Sequence, residues 1–159
     1  MKNEIIDISN KSMESDPIDF FEKIDMKNLK NGSIFAIPCS NQFGLAKVIY
    51  ISEYFKDVFL IKLFQHKFDS VEAINLNDKF DQFTLYYAAK EALKKGEWQF
   101  LGEEAVSDTE KALSKRIVGG GVWVEDNYLG DATDKDYETL NSMGIYGWKL
   151  IQKAVGKLT

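Results

Sequence analysis

The chain has 159 residues, 45% of them hydrophobic, 28% charged and 13% aromatic, a composition that suits one folded domain hiding roughly 70% of its unfolded surface without cross-links. Its net charge of −5 and single arginine, Arg116, argue against direct nucleic-acid binding, which draws its affinity from Lys and Arg, and suit a basic partner. One cysteine cannot form an internal disulfide, the longest apolar run, "DVFLIKLF", is broken by Lys62 and too short to span a bilayer, and "MKNEIIDISNKSMESD" lacks the apolar stretch of a secretory leader; the expectation is a cytoplasmic protein without a membrane partner.

Residues 1–15 are polar and unpatterned and are expected to be a flexible segment, with a single domain over 16–159. "SDPIDFFEKIDMKNLKNG" reads as a short helix: Ser15 or Asp16 caps it, Pro17 fits its first turn, Phe20, Phe21 and Ile24 form its apolar face, and Gly32 ends it. From residue 32 to about 65 the pattern changes. "SIFAIP", "LAKVIYIS" and "VFLIKLFQ" are apolar or β-branched runs separated by the polar turns "SNQFG" and "EYFKD", the pattern of an antiparallel meander. A candidate fourth strand lies at 71–74.

"TLYYAAKEALKKG" places Tyr86, Ala89 and Leu93 on one helical face, with Gly96 as a stop. "EWQFLG" alternates Trp98 and Phe100 with polar neighbours, as a strand does. "EEAVSDTEKALSK" is ambiguous. "RIVGGGVWVED" is strand-like, with a bulge or bend at its glycines. "TDKDYETLNSM" reads as a helix capped by Thr133 or Asp134, and "GWKLIQKAVGKL" as a terminal helix with Trp148, Ile151, Val155 and Leu158 on one stripe. The sum is an α+β fold, a mainly antiparallel bent sheet or partial β-barrel with flanking helices.

Cys39 and the only histidine, His66, satisfy the count for a cysteine hydrolase or transferase, but no local signature of such an enzyme surrounds Cys39. The residues also lack a zinc set, a G-x-S-x-G elbow, a phosphate loop and a calcium loop, so no catalytic residue, metal or cofactor is expected. Trp98, Phe100 and Trp123 could stack a ligand, but without interleaved basic residues core packing is the better reading. The densest charge is in "EDNYLGDATDKDYE". Glu125, Asp126, Asp131, Asp134 and Asp136 read there as an exposed loop and a helix N-terminus, with a docking patch for a basic partner as the functional alternative.

The hairpin "GSIFAIPCSNQFGLAKVIYI" resembles the opening of the immunity protein 26 family of bacterial polymorphic toxin systems, through Gly32, Ile34, Phe35, Ile37, Pro38, Gly44, Ala46 and Val48. "KKGEWQFLGEEAV" is similar to that family's second marker, through Lys95, Gly96, Trp98, Phe100 and Gly102. The resemblance runs from Gly32 to about Val124. It implies a mostly β protein that is encoded beside a cognate toxin, binds and neutralises it, and supplies no catalytic residues. The competing readings are a small hydrolase or transferase using Cys39 with His66, and a β-barrel holding a small ligand.

Overall fold

The computed structural model describes residues 28–158. The segment expected to be flexible and most of the first expected helix lie outside the described residues. The three expected strands are present as β1 (Ser33–Cys39), β2 (Gln42–Ile51) and β3 (Val58–Phe68), an antiparallel meander. Pro38 is tolerated inside β1 because the strand on its outer side, β5 (Gln99–Glu103), pairs only with Ser33–Ala36 and so needs no N–H from it.

Two expectations fail beside β3. Residues 71–74 are not a strand: Val71–Ala73 is a single 3-10 turn with no buried residue. The place next to β3 is taken instead by β4 (Phe83–Ala89), which was expected to be helical. Its period is two rather than 3.6. Leu85 and Tyr87 pack on one face of the sheet, Tyr86 and Ala88 on the other, so pairing to β3 gives every bulky side chain a neighbour. Helix survives only in α1 (Glu91–Lys95), which Gly96 caps.

The main sheet has the order β9-β4-β3-β2-β1-β5 and is antiparallel apart from β9 (Ile145–Tyr146), which runs parallel to β4. Register shifts within β2–β3 and β1–β5 bend it, but it stays open and does not close into a barrel. One face carries Phe35, Ile37, Val48, Phe59 and Ile61, covered by Leu93, Trp98 and the terminal helix α4 (Trp148–Gly156). Ile151 and Val155 of the expected stripe are fully buried and Leu158 nearly so. Gly44 permits this approach: a Cβ there would lie 2.9 Å from Val155 Cγ2.

The opposite face is divided. One apolar cluster gathers around Tyr50, Leu60 and Tyr87, another around Leu45, Phe64 and Phe68. Between them Lys47 and Lys62 stand directly opposite each other on β2 and β3, a pairing that repels by itself. Glu110 of α2 (Asp108–Ala112) reaches both, at 3.0 Å to Lys47 and 2.9 Å to Lys62, while also accepting from its own helix-capping Ser107 N–H. Glu104 and the Ala105 carbonyl take the other donors of the buried Lys47 ammonium.

After α2 the chain forms a second, three-stranded antiparallel sheet of β6 (Arg116–Val118), β7 (Gly121–Val124) and β8 (Asn127–Asp131), then α3 (Asp134–Thr139), capped by Thr133 as expected. The glycine run is a turn between β6 and β7, with Gly119 and Gly120 at φ of +56° and +84°; a bulge does follow, one step later, opposite Val122 and Trp123.

Two measurements follow from this packing. Trp98 is fully buried, its ring centroid 6.1 Å from that of Phe35 and 5.8 Å from that of Phe59, so Trp98→Ala is expected to cost about 3–5 kcal/mol in chemical denaturation. Burial pushes the Glu110 carboxyl up, but bonds from Ser107, Lys62 and Lys47 outweigh it and bring it down to about 2. A depressed carboxylate stabilises the fold above its unfolded value of about 4.3 and loses that contribution as pH falls through its folded value. Glu110→Gln is therefore expected to flatten the loss of stability between about pH 5 and pH 2. At neutral pH it should cost about 3 kcal/mol, because it strips the buried Lys47 and the half-buried Lys62 of a shared partner; urea titrations at stepped pH measure both effects.

Candidate functional site

Cys39 and His66 do not meet. Cys39 continues the Phe35–Ile37 row on the sheet face covered by α4, where its Sγ would lie 3.2 Å from a Cβ on Gly156. His66 lies on the other face, its ring 4.6 Å from Phe68 and 6.0 Å from Phe80 between centroids. A sheet separates thiol from imidazole, so the pair forms no common reaction centre. Among the described residues no group of three or more His, Cys, Asp or Glu is placed to hold a metal, and no helix is long and apolar enough to cross a membrane. A cavity of about 120 Å³ over the divided face is lined by the paired Lys47, Lys62, Glu104 and Glu110, by Asp78, Lys79 and Asp81, and by apolar neighbours including Phe64 and Phe80.

The small sheet carries a different arrangement, built from Asp126 outward. Asp126 sits in the β7–β8 turn behind Glu125, which has φ +52°. Its carboxylate accepts from the Tyr50 and Ser52 hydroxyls and from the Glu53 and Tyr54 N–H groups of the β2–β3 loop. Burial pushes this carboxyl up, yet those four donors outweigh it and hold it below the ordinary range. Burial and the same bond push the Tyr50 hydroxyl up to about 12. Beneath the turn lies Arg116, 3% exposed, its guanidinium 5.1 to 5.7 Å from the ring centroids of Tyr87, Phe55 and Tyr50. It donates to the Glu125 carbonyl at 2.6 Å and the Ser114 carbonyl at 3.2 Å.

From this buried cation a stack of rings leads to solvent. Phe55 meets Trp123 at 5.2 Å, and Trp123 is flanked by Tyr54 at 5.2 Å and Tyr128 at 5.6 Å. Tyr54 is 66% and Tyr128 53% exposed. Gly121 makes room for Tyr128, whose Cε1 lies 2.5 Å from where a Cβ would stand. Leu129, the extra residue of the bulge, is exposed beside it.

The expected acidic residues divide in two. Asp126 holds the β2–β3 loop, Asp136 caps α3 by accepting from the Thr133 N–H at 2.9 Å, and Glu125 lends its backbone to Arg116 and Ser114. Asp131 and Asp134 are exposed, Asp131 accepting from the Tyr128 hydroxyl at 2.6 Å. Trp123, expected in the core, is half-buried, because its ring packs among Tyr54, Phe55 and Tyr128 of a loop and an outer strand rather than in the core cluster of the large sheet. Tyr54 and Tyr128 were missed. Nothing in their spacing marks them, since the loop and the strand that carry them are more than seventy residues apart.

The architecture is thus an open α+β sheet domain with a small second sheet that displays aromatic rings and carboxylates. The chain belongs to the immunity protein 26 family: the family's sequence model matches residues 30–119, more than half of its length. No curated protein and no solved structure matches it. The matched part runs from just before β1 to the turn after β6; Asp126, Trp123 and Tyr128 lie beyond it.

Asp126→Asn is expected to lower stability by about 2 kcal/mol, since it weakens charge-assisted bonds and leaves donors of the loop poorly matched. Asp134→Asn, on an exposed side chain, should stay within about 0.5 kcal/mol of the parent. Urea denaturation of the two variants separates the structural acid from the surface one.

Proposed function

We propose that the protein is an immunity protein that neutralises a cognate toxin domain by binding it, without catalysis. Membership of the immunity protein 26 family over residues 30–119 carries this reading. The separation of Cys39 from His66 by the sheet favours it over a cysteine hydrolase or transferase. The main sheet, which stays open, favours it over a barrel for a small ligand. Binding alone is sufficient to neutralise a toxin, because a tight complex buries on the order of 1,600 Å² and concentrates its energy in a few aromatic or charged anchors. The net charge of −5 suits a toxin with a basic face, and nucleic acid and membranes are not partners in this reading.

Protection of cells expressing the toxin domain encoded beside this gene tests the proposal. Cys39→Ser and His66→Ala are each expected to protect as the parent does. Loss of protection by both, with folding and toxin binding intact, would overturn binding without catalysis. Charges at the edge of an interface act mainly on association rate. Asp131→Asn combined with Asp134→Asn should therefore slow association several-fold at low salt and flatten its salt dependence, as stopped-flow mixing at two ionic strengths would record.

A further inference from the structure

Two exposed apolar surfaces compete as the place where a partner would dock. One is a groove between β3–β4 and α4, lined by Tyr86, Tyr146 and Leu150 but also by Lys153 and Lys157. The other is the ring face that Tyr54 of the β2–β3 loop forms with Trp123 and Tyr128 of the small sheet, with the exposed Glu53 next to Tyr54 in the chain, Asp131 bonded to Tyr128, the exposed Asp134 three residues further on, and Lys56 and Lys135 as the cations of the same two segments. They differ in sign: the groove repels a basic partner, and the ring face attracts one.

We infer that the Tyr54–Trp123–Tyr128 face is the toxin-docking surface, and that it seats a lysine- or arginine-bearing segment of the toxin with the cation over the rings and against Asp131. This rests on the immunity reading above. Aromatic faces attract ammonium and guanidinium groups, and a carboxylate beside the ring completes the recognition. Asp131 stands there already, bonded to the Tyr128 hydroxyl at 2.6 Å.

The rings are also held in advance of binding. Asp126 bonds the N–H groups of Glu53 and Tyr54, which fixes the loop that carries Tyr54. Gly121 lets Tyr128 lie against β7, and Phe55 ties Trp123 to the buried Arg116. Anchors ordered before the encounter lose little entropy on binding, and rigid Tyr and Trp are the residue types that dominate interface energies. A second copy of this chain is a poorer occupant, because it would bring the same exposed carboxylates, on a chain of net charge −5, against each other.

Isothermal titration of the purified protein with the toxin domain encoded beside its gene tests the assignment. Tyr54→Ala and Tyr128→Ala are each expected to raise Kd about tenfold or more, whereas Tyr54→Phe, which keeps the ring, stays within about threefold. Asp131→Lys, on an exposed side chain, should weaken binding at least as much as the tyrosine truncations. Leu150→Ala in the lysine-flanked groove should bind as the parent. Thermal melts verify that each variant is folded; should a tyrosine variant fail to fold, Asp131→Lys alone decides. Parent-like binding by the folded ring and Asp131 variants, or loss confined to Leu150→Ala, overturns the docking assignment while leaving the immunity reading in place. A parent that does not bind the toxin domain overturns both.

Discussion

Two lysines face each other across adjacent strands in the middle of the main sheet, and one glutamate makes that tolerable. Lys47 and Lys62 are directly opposite in the β2–β3 register, where like charges repel, and Lys47 is almost wholly buried. Glu110 gives one carboxylate oxygen to each lysine. It can do so only because Ser107 and Glu110 cap α2 reciprocally, which fixes the glutamate at the right height above the sheet. The polar seam divides the apolar face in two and holds α2 across it. From α2 the chain enters β6, so the position of the small sheet depends on this charge pairing.

The small sheet is joined to the large one by two groups of opposite charge used in opposite ways. Arg116 is buried among Tyr50, Phe55 and Tyr87 and bonds backbone carbonyls rather than a carboxylate. Its attraction is to ring faces and peptide dipoles, which remain available whatever the pH. Asp126 works from the surface side, gathering two hydroxyls and two backbone N–H groups of the β2–β3 loop. Together they bring residues near 50 and near 125 into one rigid junction, and the aromatic stack grows outward from it. The loop and the small sheet are thus tied to each other by side chains rather than by strand pairing.

Much of the fold was legible in local pattern. β1 to β3 followed from short apolar runs between turn residues, α3 from Thr133 and its first-turn acids, and α4 from a stripe that the structure buries at Ile151 and Val155. Family resemblance was legible in the same hairpin and in "KKGEWQFLG", and the family match covers both. The reading of β4 as a helix failed because Tyr86, Ala89 and Leu93 fit a 3.6-residue period about as well as the two-residue period that β3 imposes. The α2 segment reads ambiguously by periodicity, being only five residues long, although Ser107-x-x-Glu110 is a capping box in plain sequence and marks its start.

The acidic stretch shows where sequence stops. Composition, charge and local pattern by themselves determined a small α+β protein with a hairpin of family type, carboxylates gathered between residues 125 and 138, and a net charge of −5. Those properties are sums and short-range periods, and they need no knowledge of what folds against what. Which carboxylate binds the fold and which faces solvent was decided by tertiary structure alone. Asp126 and Asp131 are five residues apart and chemically identical, yet one meets four donors from the end of β2 and the loop after it, more than seventy residues away, and the other meets one tyrosine at the surface. The same holds for Trp123, whose ring meets Tyr54 and Phe55 of a distant loop, and for Cys39 and His66, which the two faces of a sheet keep apart. Long-range pairing decides such matters because a side chain's role depends on its neighbours in space, and here those neighbours are supplied by distant strands.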